Sequence, residues 1–402
     1  MDPAPRQHRG TGAALLLAAL LLALPAAAAP AGGVRLDPAA LFARAVAVGT
    51  AGDHSLARVL LEPVLISPRV SRGARARAYY LRGLLFYRDG AFVSAGQDYR
   101  RALQFLPTLP EARTALAWLY LNGLGVGRDP ARAEHLYRLA ARQGHVDAQY
   151  NLALILARGE VVRRRETEAI TWFERAAEAD HAGAAALAGQ LLARRARDAG
   201  EDPGRARRWL ERAAELGHDR ARTELGRLLV AQDPAAGLAW LEAAARDGDV
   251  DAQRQLGQLL QRGARGIEAR PRQAAVWLRE AAKQGDPSAQ AWLGWAYDTG
   301  AGVAAAPRRA LRWYRRAARR GNVTAQVNLA LLYQQGRGTP RREDLARRWF
   351  ERAAARGEVA ALSTLAWLLA TAPDPDVRDA PRALSLARAA VAEQEDSQTL
   401  EA

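Results

Sequence analysis

The chain has 402 residues, 49% of them apolar and 25% charged, and a formal net charge of +15 at pH 7. The apolar residues are largely Ala and Leu, which excludes a disordered chain and favours helices. The absence of cysteine excludes disulfides, thiolate metal sites and a cysteine nucleophile. Almost all the positive charge is Arg. A solvated helix surface accounts for it, and the functional alternative is an acidic polysaccharide, an anionic lipid or an acidic protein face as partner.

Residues 1–31 differ in composition from the rest of the chain. Two arginines precede an apolar run, Ala13–Leu24, that is too short to span a bilayer, and small residues follow it. This layout predicts a secretory signal peptide, cleaved between Ala28 and Ala31, and a buried N-terminal helix is the alternative. No later stretch reaches the roughly 20 apolar residues that a membrane span needs. We therefore expect a periplasmic or secreted protein with no transmembrane segment after cleavage.

Residues 37–110 predict two helix hairpins. In the second hairpin, large and small residues alternate at helical spacing, so that small side chains lie where two helices touch and aromatic rings fill the space beside them. The residues that carry this pattern are Tyr79, Gly83, Phe86, Ala95, Tyr99, Ala102 and Pro107. The pattern closely resembles a tetratricopeptide repeat (TPR).

A related unit then recurs at intervals of 31 to 37 residues. Each unit begins with A-x-x-x-L-[GA], with local departures. Most units then have a Gly-containing turn between two helical patterns, and each complete unit closes with an Ala-Ala pair. The units begin at Ala112, Ala148, Ala184, Ala221, Ala252, Ala289, Ala325 and Ala361. Self-similarity at a nearly fixed period predicts one array of repeats in place of separate globular domains.

These units resemble the Sel-one-like repeat (SLR) family, a relative of the TPR. The resemblance implies an all-α, right-handed α-solenoid of stacked helix hairpins, with seven SLR repeats over residues 112–360. Residues 361–392 are predicted to form a capping hairpin that covers the last apolar face, and residues 393–402 a polar tail.

Six tryptophans occupy one repeated position, four residues before an Ala-Ala pair. They are Trp172, Trp209, Trp240, Trp277, Trp313 and Trp349. One repeated position indicates one structural role, and we predict that each ring fills the core between its helix and the next hairpin. On that basis a Trp→Ala substitution costs about 3–5 kcal/mol.

The resemblance to the TPR places a second set of residues on the concave groove of the solenoid. These predicted groove residues are Tyr80, Tyr87, Trp118, Trp292, Trp295, Asp298 and Trp367. Three of the tryptophans lie two residues past the Leu of their unit, and Tyr80 is placed by counting four residues from Ala76. Groove aromatics supply a large contact area at a small cost in entropy, which favours binding. The alternative role is packing against the neighbouring helix.

No constellation of residues predicts catalysis or a metal site. His145, His181 and His218 share one turn position in successive units, and stacking separates such positions by about 10 Å or more, too far for a shared metal. Asp374 and Asp376 lack the further ligands of a calcium loop. The sequence contains no G-x-S-x-G or H-E-x-x-H motif, and its Gly-rich turns lack the Lys-Ser/Thr of a phosphate-binding loop. We predict no catalytic residue and no cofactor.

The SLR resemblance implies an exported, non-catalytic scaffold or adaptor that binds protein or peptide partners, such as envelope assembly components, on its concave face. The rival hypothesis is an envelope-assembly factor that binds acidic polysaccharide or cell-wall polymer through its basic surface, and such binding would weaken steeply with salt. A third hypothesis follows from SLR proteins described as penicillin-binding or β-lactam-hydrolysing, but no nucleophile constellation supports it. The export signal and the absence of a recognition motif argue against nucleic acid.

Overall fold

The computed structural model describes residues 37–159, 165–372, 375 and 377–401, with side chains as far as residue 392. The predicted signal peptide and the acidic pair Asp374 and Asp376 lie outside these residues. Within them the regular elements are helices, so the predicted all-α class is confirmed. No helix in this described part of the chain is long and apolar enough to cross a bilayer.

The first of two compact units ends at Leu192, and its described part begins at residue 37. Its helices are α1 (Pro38–Thr50), α2 (His54–Ile66), α3 (Arg72–Arg88), α4 (Phe92–Phe105), α5 (Pro110–Asn122), α6 (Pro130–Arg142), α7 (Val146–Arg158), α8 (Glu166–Glu178) and the start of α9 (Ala182–Ala199). Consecutive helices pack as hairpins, α1 with α2 through to α7 with α8, and each hairpin packs on the next.

The second unit covers Ala193–Ala402. Its helices are α10 (Gly204–Glu215), α11 (Asp219–Leu229), α12 (Pro234–Arg246), α13 (Val250–Arg262), α14 (Pro271–Lys283), α15 (Pro287–Thr299), α16 (Pro307–Arg319), α17 (Val323–Gln335), α18 (Glu343–Ala354), α19 (Val359–Thr371) and α20 (Ala380–Glu401). The hairpins run from α11 with α12 to α19 with α20, and α10 packs against α11.

The helices begin and end at residues suited to those positions. Several N-caps are short side chains whose oxygen accepts the backbone N–H three residues further on, which satisfies one of the unpaired N–H groups of the first turn. These N-caps include Asp53, Asp129, Asp249, Asp286 and Asn322. A glycine often ends the first helix of a hairpin; Gly300, for example, adopts a left-handed φ of 81° that other residues rarely tolerate.

The two helices of a hairpin touch where a glycine on the first faces a large side chain on the second. A Cβ on Gly294 would lie 2.7 Å from the ring of Tyr314, and a Cβ on Gly83 would lie 2.6 Å from the ring of Tyr99. Both distances are well inside van der Waals contact, so a side chain at either glycine would force the helices apart. The prediction that Gly83 is small because two helices touch there is confirmed.

The residue that fills this gap is the one after the repeated tryptophan. Trp172 is 6% exposed and the other five tryptophans are half-buried, whereas the residues that follow them are at most 1% exposed. Those following residues are Phe173, Leu210, Leu241, Leu278, Tyr314 and Phe350. The prediction that each tryptophan packs in the core is therefore confirmed for Trp172. It holds only in part for Trp240, Trp277, Trp313 and Trp349, which are half-buried and pack against the edge of the core. A Trp→Ala substitution there removes less buried surface than we expected.

A buried glutamine joins several hairpins to the hairpin before. Its Nε2 donates at 3.0–3.2 Å to the carbonyl oxygen of the second Ala of the preceding Ala-Ala pair, eight residues earlier. The glutamines are Gln149, Gln253, Gln290 and Gln326, each 4–7% exposed. Each of these carbonyl oxygens also accepts a backbone N–H from the turn that follows its helix, so the glutamine adds a second, buried hydrogen bond that crosses the repeat boundary.

In the second unit a further side chain links three turns, each to the turn of the preceding hairpin. A side-chain nitrogen donates to a glycine carbonyl oxygen 35 or 36 residues earlier, which is one repeat. The pairs are Gln284 with Gly248, Arg320 with Gly285, and Arg356 with Gly321. These bonds, called the turn bonds below, recur in register along the unit.

Candidate functional site

Tyr87 and Trp118 come together in the first unit, on α3 and α5. Trp118 Nε1 donates a hydrogen bond to the Tyr87 hydroxyl at 2.9 Å. The Tyr87 ring lies edge-on to Phe92, with ring centroids 5.4 Å apart. Both Tyr87 and Trp118 are half-buried. Because the bond holds two neighbouring hairpins together and leaves part of each ring exposed, the Tyr87–Trp118 pair presents a fixed aromatic surface.

Tyr80 does not belong to that surface. Its side chain is 5% exposed, its ring lies 5.9 Å from that of Tyr99, and burial raises the pKa of its hydroxyl. Because Gly83 corresponds to Gly294 in the helix contact described above, Tyr80 corresponds to Ala291, which is also buried. The count from Ala76 that placed Tyr80 is thus two residues out of register with the later repeat units. The assignment of Tyr80 to the groove is wrong.

Trp292 and Trp295 come together in the second unit, both on α15. Their rings meet edge to face with centroids 5.7 Å apart. The guanidinium of Arg262, at the end of α13, lies 4.5 Å from the centroid of the Trp292 ring. Both tryptophans are half-buried against the core. The Trp292–Trp295 pair is therefore a second aromatic surface, and it carries a cation on one side.

Asp298 lies three residues further along α15 and is engaged within the protein. Arg337, just after α17, places Nη2 2.7 Å from its Oδ1 and donates to its backbone carbonyl oxygen at 3.1 Å. The carboxyl group is 16% exposed. Burial raises the pKa of Asp298, and the charge of Arg337 opposes that rise. Its contacts in the structure thus link two consecutive hairpins.

Trp367 lies apart from the other predicted residues, on the last hairpin. It is 60% exposed, and Leu384 and Val391 beside it are each 55% exposed. These side chains line an open groove of about 590 Å³ between α19 and α20. The equivalent residues Trp118 and Trp295 are half-buried because a further hairpin packs beside them, whereas no hairpin follows α20 within the described residues.

The turn histidines act as helix caps. Nδ1 of His145 accepts the backbone N–H of Ala148 at 3.2 Å, and Nδ1 of His181 accepts that of Ala184 at 3.0 Å. Burial lowers the pKa of His145. Among the residues that the structure describes, no three His, Asp or Glu side chains are placed to hold a metal ion. The interpretation of these two histidines as turn residues is confirmed.

One group of charged residues was not singled out from the sequence. Helix α16 carries six arginines and no acidic residue. They are Arg308, Arg309, Arg312, Arg315, Arg316 and Arg319, called the α16 arginine face below. Arginine at helical spacing without an interleaved Asp or Glu is the signal that marks this face in the sequence.

Stacked helix hairpins with alanine at the repeat boundaries define a helical-repeat protein. The chain belongs to the Sel1 repeat family, because the model for that repeat matches eight segments that together cover more than half of it. The matched segments are residues 76–106, 110–145, 146–181, 183–218, 224–249, 250–286, 287–322 and 323–358. The SLR resemblance is confirmed, and the first match falls in the stretch that resembles a TPR.

The chain is also similar to proteins of known structure and to a curated protein. A Sel1 repeat protein from Oxalobacter formigenes is 27% identical, with 87% of this chain and 99% of that chain covered and a TM-score of 0.62. A protective antigen of uropathogenic Escherichia coli with an SLR fold is 23% identical over 90% of this chain and 88% of that chain, with a TM-score of 0.43. Chitin synthase regulatory factor 3 of Schizosaccharomyces pombe is 29% identical over 120 residues. That match spans 30% of this chain but only 12% of the yeast protein.

Proposed function

We propose that this protein is a non-catalytic scaffold that binds protein or peptide partners through its two aromatic pairs. The observation that carries the proposal is the Tyr87–Trp118 pair, in which two half-exposed rings are held by a hydrogen bond between neighbouring hairpins. Rings held in this way bury a large area on binding and lose little rotamer freedom, which is the behaviour of interface hot spots. The Trp292–Trp295 pair offers the same chemistry in the second unit.

The test compares two double variants that each remove two half-buried tryptophans. Trp118→Ala with Trp295→Ala removes one ring from each aromatic pair. Trp240→Ala with Trp349→Ala is the matched control, because those tryptophans lie on the second helices of their hairpins. Purified, tagged proteins would capture partners from envelope extract, with quantitative mass spectrometry as the readout and circular dichroism to verify helix content.

The proposal predicts that the first double variant loses a defined set of partners at least tenfold and that the control retains them. A tenfold loss corresponds to about 1.4 kcal/mol, which is within the range for one hot-spot residue. Equal capture by both variants, with helix content intact, would show that the aromatic pairs are not the binding surface.

We also propose that the protein is exported to the periplasm or beyond. The support is the charged, apolar and small-residue layout of residues 1–31. N-terminal sequencing of the protein recovered from periplasm or medium should find a start between residues 29 and 32. A chain that keeps its first residues and remains in the cytosol would refute export.

A further inference from the structure

The α16 arginine face is a compact block of positive charge. At 100° per residue, the six arginines project from an arc of about 120° and extend over about 17 Å of helix axis. Five of the six are exposed and Arg315 is half-buried. The formal charge of α16 is +6, against +2 for α14 and zero for α18 on either side of it. The positive charge of α16 therefore exceeds that of the second helices of the hairpins on either side of it.

None of the six arginines forms an ion pair with a carboxylate of the described residues. Arginines elsewhere in the same unit do so, for example Arg207 with Glu211 at 2.7 Å and Arg246 with Glu242 at 2.6 Å. The acidic residues of the neighbouring helices already have partners. Glu280 of α14 pairs with Lys283, and the two acids that begin α18 pair with the arginines just before it. The face is therefore not neutralised from within the unit.

Three of the arginines contact aromatic side chains, which do not neutralise their positive charge. The guanidinium of Arg309 lies 5.6 Å from the centroid of Tyr297, and that of Arg316 lies 4.8 Å from the centroid of Trp313. Arg315 donates from Nη2 to a tyrosine hydroxyl at 2.7 Å. Stacking and a single hydrogen bond leave most of the five N–H donors of each guanidinium available to a ligand.

Helix stability does not account for this arrangement. Arginine in the last turn favours a helix, but Arg308 and Arg309 place positive charge at the N-terminus, where the helix dipole opposes it. Every pair of arginines at i,i+3 or i,i+4 on this face is like-charged and repulsive. Arg312 alone lies at such a spacing from four of the others. The face weakens its own helix, which indicates a role beyond folding.

We propose that the α16 arginine face binds an acidic segment of a partner polypeptide, through the carboxylates of Asp and Glu. This inference rests on the proposed scaffold function and assigns a second surface and a partner chemistry to it. Arg308, Arg312, Arg315 and Arg319 follow one another at about 4.5–6 Å along the axis, which matches the spacing of carboxylates at i,i+3 and i,i+4 on a facing helix. The planar guanidinium can bind each carboxylate through two parallel N–H groups.

An anionic membrane suits this face less well. Helices that lie on membranes combine basic residues with large apolar side chains that enter the lipid. The large apolar side chains of α16 are buried or half-buried, so the face offers charge without an insertion surface. Anionic vesicles and a sulfated polysaccharide therefore serve as competing ligands in the test.

The test measures the binding of a fluorescein-labelled, glutamate-rich peptide of twelve residues by anisotropy, using the full chain. Arg308→Gln, Arg312→Gln and Arg319→Gln together remove three arginines that make no contact with an aromatic group. The control removes the same charge from paired arginines, as Arg207→Gln, Arg212→Gln and Arg246→Gln. We expect the first triple variant to bind at least tenfold more weakly than wild type and the control to remain within twofold. A peptide with Gln in place of Glu should not bind.

Each other outcome overturns the proposal. Equal weakening by both triple variants would assign the binding to diffuse charge, and no binding by wild type would remove the site. Tighter binding of heparin or of vesicles containing phosphatidylglycerol than of the peptide, at equal charge concentration, would assign the face to a polyanion or a membrane. The Trp118→Ala, Trp295→Ala variant should bind the acidic peptide normally. Failure of the arginine face and failure of the aromatic pairs are thus separate results.

Discussion

Removal of one partner from the buried ion pair of Arg82 and Asp98 should destabilise the protein more than removal of one partner from an exposed ion pair. Arg82 bonds Asp98 through Nε at 2.7 Å and Nη2 at 2.8 Å, and the two side chains are 12% and 3% exposed. Asp98→Ala leaves the guanidinium with the exposed Glu62, at 2.6 Å, as its carboxylate partner, beside the rings of Tyr79 and Phe86. Removal of one member of a buried pair costs about 3–5 kcal/mol, and because Glu62 remains we expect about 3 kcal/mol.

Replacement of both residues should cost far less than replacement of one. Arg82→Met with Asp98→Leu removes both charges and keeps the apolar volume, so its free energy of unfolding should lie within about 1 kcal/mol of wild type. The exposed pair of Arg246 and Glu242 serves as the control, and Arg246→Ala should cost at most about 1 kcal/mol.

Hydrogen exchange of the amides of α3 and α4, read by mass spectrometry, measures this local free energy without interference from the second unit. Arg82→Met alone, Asp98→Leu alone and the double variant form a thermodynamic cycle with wild type that isolates the pair. An Asp98→Ala loss below about 1 kcal/mol, or a double variant as unstable as the single one, would refute the reasoning.

Three further predictions concern the repeat contacts. Gly294→Ala should destabilise the second unit by about 1–3 kcal/mol because the added carbon meets the Tyr314 ring. Gly73 has open space around it, so the control Gly73→Ala should be neutral or stabilising. Urea unfolding measures the free energy of unfolding of both variants. Gln290→Leu removes a buried hydrogen bond to the carbonyl oxygen of Ala282, which keeps its bond from the backbone N–H of Gly285, and should cost about 0.5–1.5 kcal/mol, seen as faster amide exchange at the start of α15. Burial lowers the folded-state pKa of His145, so unit 1 should lose stability as pH falls through about 6.5, its unfolded value, and the loss should stop below the folded pKa. His145→Asn should flatten that part of the pH profile, and an unchanged profile in thermal melts would exclude His145 as its origin.

The hairpins and their boundaries could be predicted because small residues specify where helices touch. Ala289 and Ala317 are fully buried, and Ala318 is 2% exposed, because their side chains lie at the contacts between helices. A larger residue at such a position would separate the helices, so the pattern of alanines and glycines encodes the packing directly. The period of the sequence then carries over to the structure unchanged.

The orientation of neighbouring side chains could not be predicted from the same pattern. Adjacent helical residues differ in direction by about 100°, and only the packed structure decides that Tyr314 enters the core while Trp313 stays at its edge. Tyr80 was misplaced because its register depends on the contact of Gly83 with a ring on the next helix. Ion pairing depends on the reach of long side chains, so the unpaired state of the α16 arginine face emerged only from the structure.

The turn bonds bear on how a chain of this kind changes length during evolution. Arg356 bonds the carbonyl oxygen of Gly321 as Arg320 bonds that of Gly285. Deletion of residues 286–321, one full module, would place Arg356 beside Gly285 with the same donor and the same acceptor. Unequal recombination that removes a whole repeat therefore joins two hairpins through the same kind of turn bond as before. That single genetic event would also delete the whole of α16, so the lineage would lose its cationic docking helix while its architecture persisted.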